Sequence, residues 1–424
     1  MEPVIVIGGG PAGALAAIAV SRHSGRPVVV VDPAAALGPG SAYATREPSH
    51  LLNSRAGSMS VDPCAPGDFA AWARCSGDSF QPRGGYGDYL AQRLGAVPHI
   101  ARRALRVRPA GAGRWAVELS DGTTRRASDV VLALGPPPPV FPAAAAVGVR
   151  RAPGYVPLPW TPGALDRIAA PDRVLLLGTG LTAVDAVLTL LARGHTGRIV
   201  AVSRHGLLPR AHTDQAAPVA LSADLPPGLR ALLRELRRST DWRATVDALR
   251  PRVDEVWAGL TDEERRRFLR HLARWWEVHR HRCAPPVAAT IAAARSSGAL
   301  VVAAGRVTDI RTVPRGFEVT VGDSGPWPFD AVVNCTGPGH PAGLSLVRTL
   351  VADGLARADP LGLGIDVDAA GHPTGRDGSP VEGLHVLGSL RRGRWWETTA
   401  IPEIRTQAYA VAARLADPPA THAA

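Results

Sequence analysis

Two stretches of the chain share one pattern. A short apolar run stops at a glycine-rich turn and continues as an alanine- or leucine-rich segment: VIVIGGGPAGA at 4–14 and VLLLGTGLTAVD at 174–185. Apolar runs this short, rich in β-branched residues and bounded by glycine, predict strands buried on both faces. A second apolar run follows each, at 27–31 and 198–202. Each stretch therefore predicts a strand–helix–strand unit with parallel strands.

The rest of the pattern fits around these units. Helical signals recur at 67–74 and 86–94, and strand signals at 100–107, 114–119, 122–127 and 129–134, with a tight turn at Asp121-Gly122. PPPPVFP at 136–142, with further prolines up to Pro162, is a stiff, helix-free boundary. Residues 226–297 are strongly helical and include a capping box, Thr261-x-x-Glu264. Strand signals return at 300–304, 307–313, 316–321, 331–334 and 384–388, and a last helix is expected near 400–415. The predicted class is α/β. A Rossmann-like domain at 1–145 and 326–424 is interrupted by a second Rossmann-like domain at 146–325, which carries a helical insertion at about 220–297.

Composition narrows the function. Hydrophobic residues make up 46% and charged ones 20%, ordinary for a soluble protein. No apolar run reaches the ~20 residues of a membrane span, and the N-terminus does not resemble a signal peptide, so a cytoplasmic location is expected. The 4 cysteines show no CxxC and no paired metal spacing, which argues against a disulfide framework, a metal site or a dithiol centre. All 48 basic residues are arginine, and the net charge is +11. A nucleic-acid surface, attraction of anionic ligands and a compositional bias all account for that charge. The even spread of arginines and the lack of an RNA-binding motif favour bias, so no nucleic acid partner is expected. The lack of lysine excludes Schiff-base chemistry and a P-loop lysine.

The two turns carry the candidate chemistry. Gly8-x-Gly10-x-x-Gly13, with Pro11 and Ala12 inside it, has Asp32 at the end of the next strand. In this fingerprint the first glycine permits the turn, the second lets a pyrophosphate approach, and the third lets helix and strand pack. The helix N-terminus offers N–H groups to the phosphates, and the acid accepts from ribose hydroxyls. The second turn, Gly178-Thr179-Gly180-Leu181-Thr182-Ala183, is followed by Ser203 and Arg204 where the first has its acid. An acid there repels a 2′-phosphate and an arginine binds one, so the second cradle is expected to prefer NADPH. An ordinary exposed arginine is the plainer reading of Arg204. Two cradles suit two dinucleotides that exchange electrons, FAD in the first and NADPH in the second. The runs 127–135 and 329–337 each end at a glycine, Gly135 and Gly337, and return the chain to a dinucleotide sheet.

On these features the chain resembles the FAD–NAD(P)-binding protein family. That family is related to flavin-dependent N-hydroxylating and Baeyer–Villiger-type monooxygenases with two dinucleotide-binding domains. Resembling stretches include GSAYATREPSHLLNSRAGSMS (40–60), LPW (158–160), DWRATVDALRP (241–251), WWEVHRHR (275–282) and GSLRRGRWWETTAIPEIRTQA (388–408). The resemblance implies that the last helix begins beneath the flavin, with Thr398 and Thr399 beside it. It also implies that Gly388-Ser389 lies by the ribityl chain, where relatives carry an Asp. The loop His50–Asn53 with Met59 is implied to pass the ring, making Asn53 and Thr399 the candidate catalytic residues. A structural role for Asn53 in the loop is equally open, as is plain helix packing for WWEVHRHR. The leading function is an NADPH-consuming flavin monooxygenase that oxygenates a small molecule with O2 through a C4a-(hydro)peroxyflavin. The alternatives are a reductase without oxygenation and a non-catalytic flavin-binding interaction protein.

Overall fold

The computed structural model describes residues 1–416 except 112, 214–218, 220, 222 and 223. Two five-stranded sheets organise the chain. The first runs Leu384–Val386, Asp129–Leu132, Val4–Ile7, Val28–Val31, His99–Ile100, with every neighbouring pair parallel. The second runs Tyr155–Val156, Ala331–Asn334, Val174–Leu177, Ile199–Ser203, Leu300–Ala304, also parallel throughout. Four strands of the two plans coincide in order, and the outer fifth place is filled by the last strand of the chain in the first sheet and by a strand that precedes the other four in the second. Each unit also inserts a three-stranded antiparallel meander before its fourth strand, at 104–127 in the first and 307–329 in the second. The chain thus carries one α/β plan twice, the second copy set inside the first.

Burial follows strand alternation. Val4 and Val6 point into the cluster formed with helices Pro11–His23 and Ile401–Ala416. Ile5 and Ile7 point the other way, onto the meander and helix Ser345–Ala352. A fully buried Val or Ile side chain contributes roughly 1.5–3 kcal/mol, so a strand buried on both faces locks its own register.

Three sequence expectations shift. The single strand at 100–107 is two strands in different sheets, His99–Ile100 and Ala104–Pro109, with exposed Arg102 and Arg103 between them. Strand Ser324–Phe329 was not anticipated because it contains two prolines; it is the outer strand of its meander, where a missing N–H costs no ladder bond. Strand Ala331–Asn334 pairs with Val174–Leu177 and therefore belongs to the second unit. The boundary expected at 325/326 accordingly moves past Asn334. The physical reason is that a meander must return its chain to the sheet that launched it.

The helical insertion comprises Leu229–Leu236, Trp242–Leu249, Val253–Gly259, Asp262–His271, Ala273–Arg280 and Pro285–Ser296. The anticipated capping box at Thr261 and Glu264 is formed in both directions. Trp257 and Phe268 of the insertion enclose Trp396 of the first unit, with Trp257–Trp396 ring centroids 5.0 Å apart. Among the described residues, no helix is long and apolar enough to cross a membrane.

Candidate active site between the two sheets

The first cradle is built by close backbone approach. Gly8 has φ +107°, and a Cβ placed on it would lie 2.2 Å from the carbonyl oxygen of Ala133. Its N–H donates to Val31 O at 2.9 Å, tying the turn to the second strand. Helix Pro11–His23 begins at Gly10 without a side-chain cap, which leaves its first N–H groups for a ligand. The Asp32 carboxylate accepts from Gly9 N at 2.6 Å and Ala34 N at 2.7 Å. Those bonds use two of a carboxylate's roughly four acceptor sites, so others remain for a ribose.

The second cradle repeats the construction. Gly178 has φ +117°, a Cβ there would lie 2.3 Å from Cys335 O, and Gly178 N donates to Val202 O at 2.8 Å. Helix Leu181–Ala192 starts at an uncapped Gly180, with Thr182 in its first turn. Ser203 occupies the position of Asp32. The Thr179 hydroxyl donates to Leu207 O at 2.5 Å, since a carbonyl only accepts, and so accepts from Ser203 Oγ at 2.8 Å. Arg204 stands exposed at the strand end, in no ion pair among the described residues.

At the open edge of the first sheet the expected residues converge. The Ser389 hydroxyl donates to Gly135 O at 3.0 Å, joining the ends of two strands. A Cβ on Gly388 would lie 4.0 Å from Ala12 Cβ, so Gly388 stands over the first turn of the first helix. Gly337 follows the matching strand of the second sheet. Thr398 is fully buried: its hydroxyl donates to Gly388 O at 3.2 Å and accepts from Gln407 Nε2 at 2.8 Å. Gln407 Oε1 in turn accepts from Gly388 N at 2.8 Å. Thr398 therefore shapes the strand–helix junction and has no hydroxyl proton left for a ligand. Thr399, one residue on, is exposed at the start of the last helix. Met59 is only 2% exposed and packs in the core with Ile401 and Ile404. Gln407 escaped the sequence reading because a glutamine on a helix face carries no motif.

Two histidines bracket the loop that carries Asn53. His50 Nε2 donates to Asp185 O at 3.0 Å, and its Nδ1 accepts from Thr45 Oγ1 at 2.8 Å. Arg83, packed over the Trp160 ring at 5.2 Å, pairs with the Asp185 carboxylate beside it. His212 Nε2, from the second unit, donates to Asn53 O at 3.0 Å. Burial holds His50 below the ordinary histidine value, and burial with nearby Arg282 lowers His212 to about 4. Both rings are neutral near pH 7 and each ties one unit to the other. The Asn53 side-chain amide has no protein partner among the described residues. Neither histidine contact was visible in sequence, because the partners lie 135 and 159 positions apart.

Behind the last helix lies a buried ion cluster. Arg280 is 3.1 Å from Glu397 and 3.8 Å from Glu403; Arg250 reaches Glu403 at 2.7 Å. Trp276 Nε1 donates to Glu397 at 2.9 Å, and Trp257 Nε1 to Gly393 O at 2.9 Å. Burial pushes the Asp254 carboxyl up to about 6 and Arg391 down to about 10. Arg391 lies on the Trp395 ring at 4.0 Å, and Arg392 pairs with Glu277. Arg391 is thus buried and stacked, and Arg392 is held in an ion pair. The WWEVHRHR helix packs, clamping the insertion onto the segment that leads into the last helix.

With this geometry in hand, comparison with known proteins is informative. Residues 5–137 match the family model described as FAD-NAD(P)-binding. No curated protein matches the chain by sequence. Among solved structures, the ornithine N-hydroxylase of Kutzneria sp. 744 with reduced FAD, NADP+ and L-ornithine is similar at TM-score 0.68 and 15% identity, over 98% of this chain and 99% of that one. The FAD-bound cadaverine monooxygenase of Erwinia amylovora is similar at 0.69 and 16%, over 98% and 94%. The bacillithiol disulfide reductase of Staphylococcus aureus is similar at 0.60 and 14%, over 97% and 98%. At these identities the likeness is one of fold: the protein shares the overall architecture of these solved structures along nearly its whole length.

Proposed function

We propose that this protein is an FAD-dependent, NADPH-consuming monooxygenase that oxygenates a small molecule. The observation that carries the proposal is the duplicated cradle with opposite endings, Asp32 in one copy and Ser203-Arg204 in the other. FAD fits the first cradle: bare glycine turns where a Cβ would strike backbone, an uncapped helix N-terminus and an acid at ribose height. NADPH fits the second for the same steric reasons, with Arg204 for a 2′-phosphate. When bound, the flavin supplies electron storage and reaction with O2.

The protein's own work is positional. The uncapped turns at Gly10 and Gly180 neutralise pyrophosphates. The start of helix Ile401–Ala416 would present its positive end to a flavin held beside Gly388, and Gln407 and Thr398 hold that end against Gly388. Asn53 offers an amide that donates without changing protonation state. His50 and His212 fix its loop across the gap between units. The fold likeness to an ornithine N-hydroxylase and a cadaverine monooxygenase supports oxygenation of an amine-bearing small molecule.

A second reading, reduction without oxygenation, draws support from the likeness to a disulfide reductase. Its dithiol branch is disfavoured, because Cys64, Cys75, Cys283 and Cys335 form no CxxC pair. One experiment separates the readings. NADPH is added anaerobically to the flavin-loaded protein, visible absorbance is followed, and air is then admitted. Bleaching followed by a transient spectrum unlike oxidised or reduced flavin is the expected outcome. Direct reoxidation with stoichiometric peroxide favours the reductase, and no bleaching removes NADPH from the second cradle.

A further inference from the structure

The two units share one plan but are not filled alike. In the first, the loop after the second strand lies flush on helix Arg83–Leu94. A Cβ on Gly38 would come within 2.9 Å of Ala91 N, and one on Gly87 within 2.5 Å of Tyr43 O. In the second, the matching loop Gly206–Ala211 stands away from helix Pro285–Ser296, whose facing residues include the small Ala288 and Ala292. The gap is an open cavity of about 420 Å3, with an apolar lining that includes Val184, Leu207, Leu208 and Ile291. Small-molecule sites typically occupy ~300–1,000 Å3.

Arg210, Arg243 and Arg295 also line this cavity. Nearby Arg250, Arg280 and Arg282 each sit against a carboxylate. The three cavity arginines have no such partner among the described residues. Arg243 spends only its Nε, on Ala211 O at 3.1 Å, and rests on the Trp242 ring at 4.3 Å. Three guanidinium groups without a carboxylate around one apolar hollow repel one another and concentrate positive potential there, which a bound anion would relieve.

We propose that this cavity binds a compact anion, a carboxylate or phosphate monoester on an apolar or aromatic body. The site is distinct from Arg204. The chain reverses at Gly206 after Arg204, and Leu207 then gives its carbonyl to the cradle's Thr179 while lining the cavity. Two sources offer this chemistry: a separate acidic small molecule, or the adenosine end of the dinucleotide reaching past Arg204. The inference does not depend on oxygenation, because binding is measured without turnover.

The test titrates phenyl phosphate calorimetrically into the flavin-loaded protein at low salt. The expected result is saturable 1:1 binding, weakened at least ~10-fold in the double variant Arg210→Ala/Arg295→Ala and unchanged in Arg204→Ala. Both replaced arginines are exposed, so the fold is not at risk. Ala288→Phe, which fills the hollow and keeps every arginine, should abolish binding. If saturating NADPH leaves phenyl phosphate binding intact, the natural ligand is a separate acid. If NADPH competes with it and the double variant weakens NADPH as well, the occupant is the dinucleotide's adenosine end. No saturable binding, equal binding in the double variant, or binding that survives Ala288→Phe overturns the proposal.

Discussion

One methyl group, placed in turn at Gly8 and at Gly178, should separate the two cofactors. An alanine Cβ at Gly178 would sit 2.3 Å from Cys335 O and 2.9 Å from Cys335 C; at Gly8 it would sit 2.2 Å from Ala133 O and 2.8 Å from Ala133 C. Comfortable carbon contacts lie near ~3.5 Å, so each turn must retreat by roughly 1 Å. Neither neighbour can give way, because each is backbone at the end of a central strand. The φ values of +107° and +117° add strain of roughly 1–3 kcal/mol for a residue with a Cβ. A displacement of about 1 Å in a positioning element costs on the order of 100-fold. Gly8→Ala should therefore lose bound flavin, read as the ratio of visible to protein absorbance. Gly178→Ala should retain flavin but need ~100-fold more NADPH to bleach it at half-maximal rate. Gly194→Ala is the control: φ is +75° with nothing within 4 Å, so it brings strain without collision and should leave both cofactors bound. The reasoning fails if Gly178→Ala bleaches with unchanged NADPH dependence, or if it loses flavin while still folded.

Four further outcomes are expected. Arg204→Ala should raise the NADPH KM by ~10-fold or more, the scale of a charge-assisted hydrogen bond, and barely move the NADH KM; equal effects would remove Arg204 from cofactor choice. His212 titrates near 4 when folded against 6.5 otherwise, so the unfolded chain takes up a proton between those values and the folded one does not. The stability it confers is complete above pH 6.5 and lost as pH falls to about 4, a ceiling of ~3 kcal/mol that partial exposure cuts to ~1–2 kcal/mol. His212→Gln should flatten the fall in Tm across that window, and parallel curves would count against the assignment. Gln407→Leu strands Gly388 N, at ~1–3 kcal/mol for a buried group, and removes the bond that the Thr398 hydroxyl accepts while leaving the one it donates to Gly388 O; Tm and flavin retention should drop together. Glu397→Leu leaves Arg280 short of its nearest carboxylate, at ~3–5 kcal/mol, and adding Arg280→Met should restore much of the loss in chemical denaturation.

How far sequence reaches depends on the range of the forces involved. The strand–turn–helix units were legible because four β-branched or leucine residues, a glycine that tolerates positive φ and an uncapped helix start act within a dozen positions. The capping box at Thr261 is equally local. The single strand expected at 100–107 failed because apolar alternation does not say which sheet a strand joins, and the arginines at its middle mark a change of sheet. Strand Ser324–Phe329 failed because proline is disfavoured in strands generally but tolerated on an edge, and edge position is a tertiary fact.

The chain by itself determined that two glycine-rich strand–turn–helix units exist and that they end differently, Asp32 against Ser203 and Arg204, because turn sterics and side-chain charge belong to neighbouring residues. Only the tertiary structure decided that Ala331–Asn334 closes the second sheet and that Thr398 spends its hydroxyl on Gly388. It alone brings His50 and His212 to opposite sides of the Asn53 loop and leaves the second unit hollow where the first is packed. Those outcomes depend on contacts between residues far apart in the chain, whose burial, desolvation and pairing arise only once both sheets are assembled.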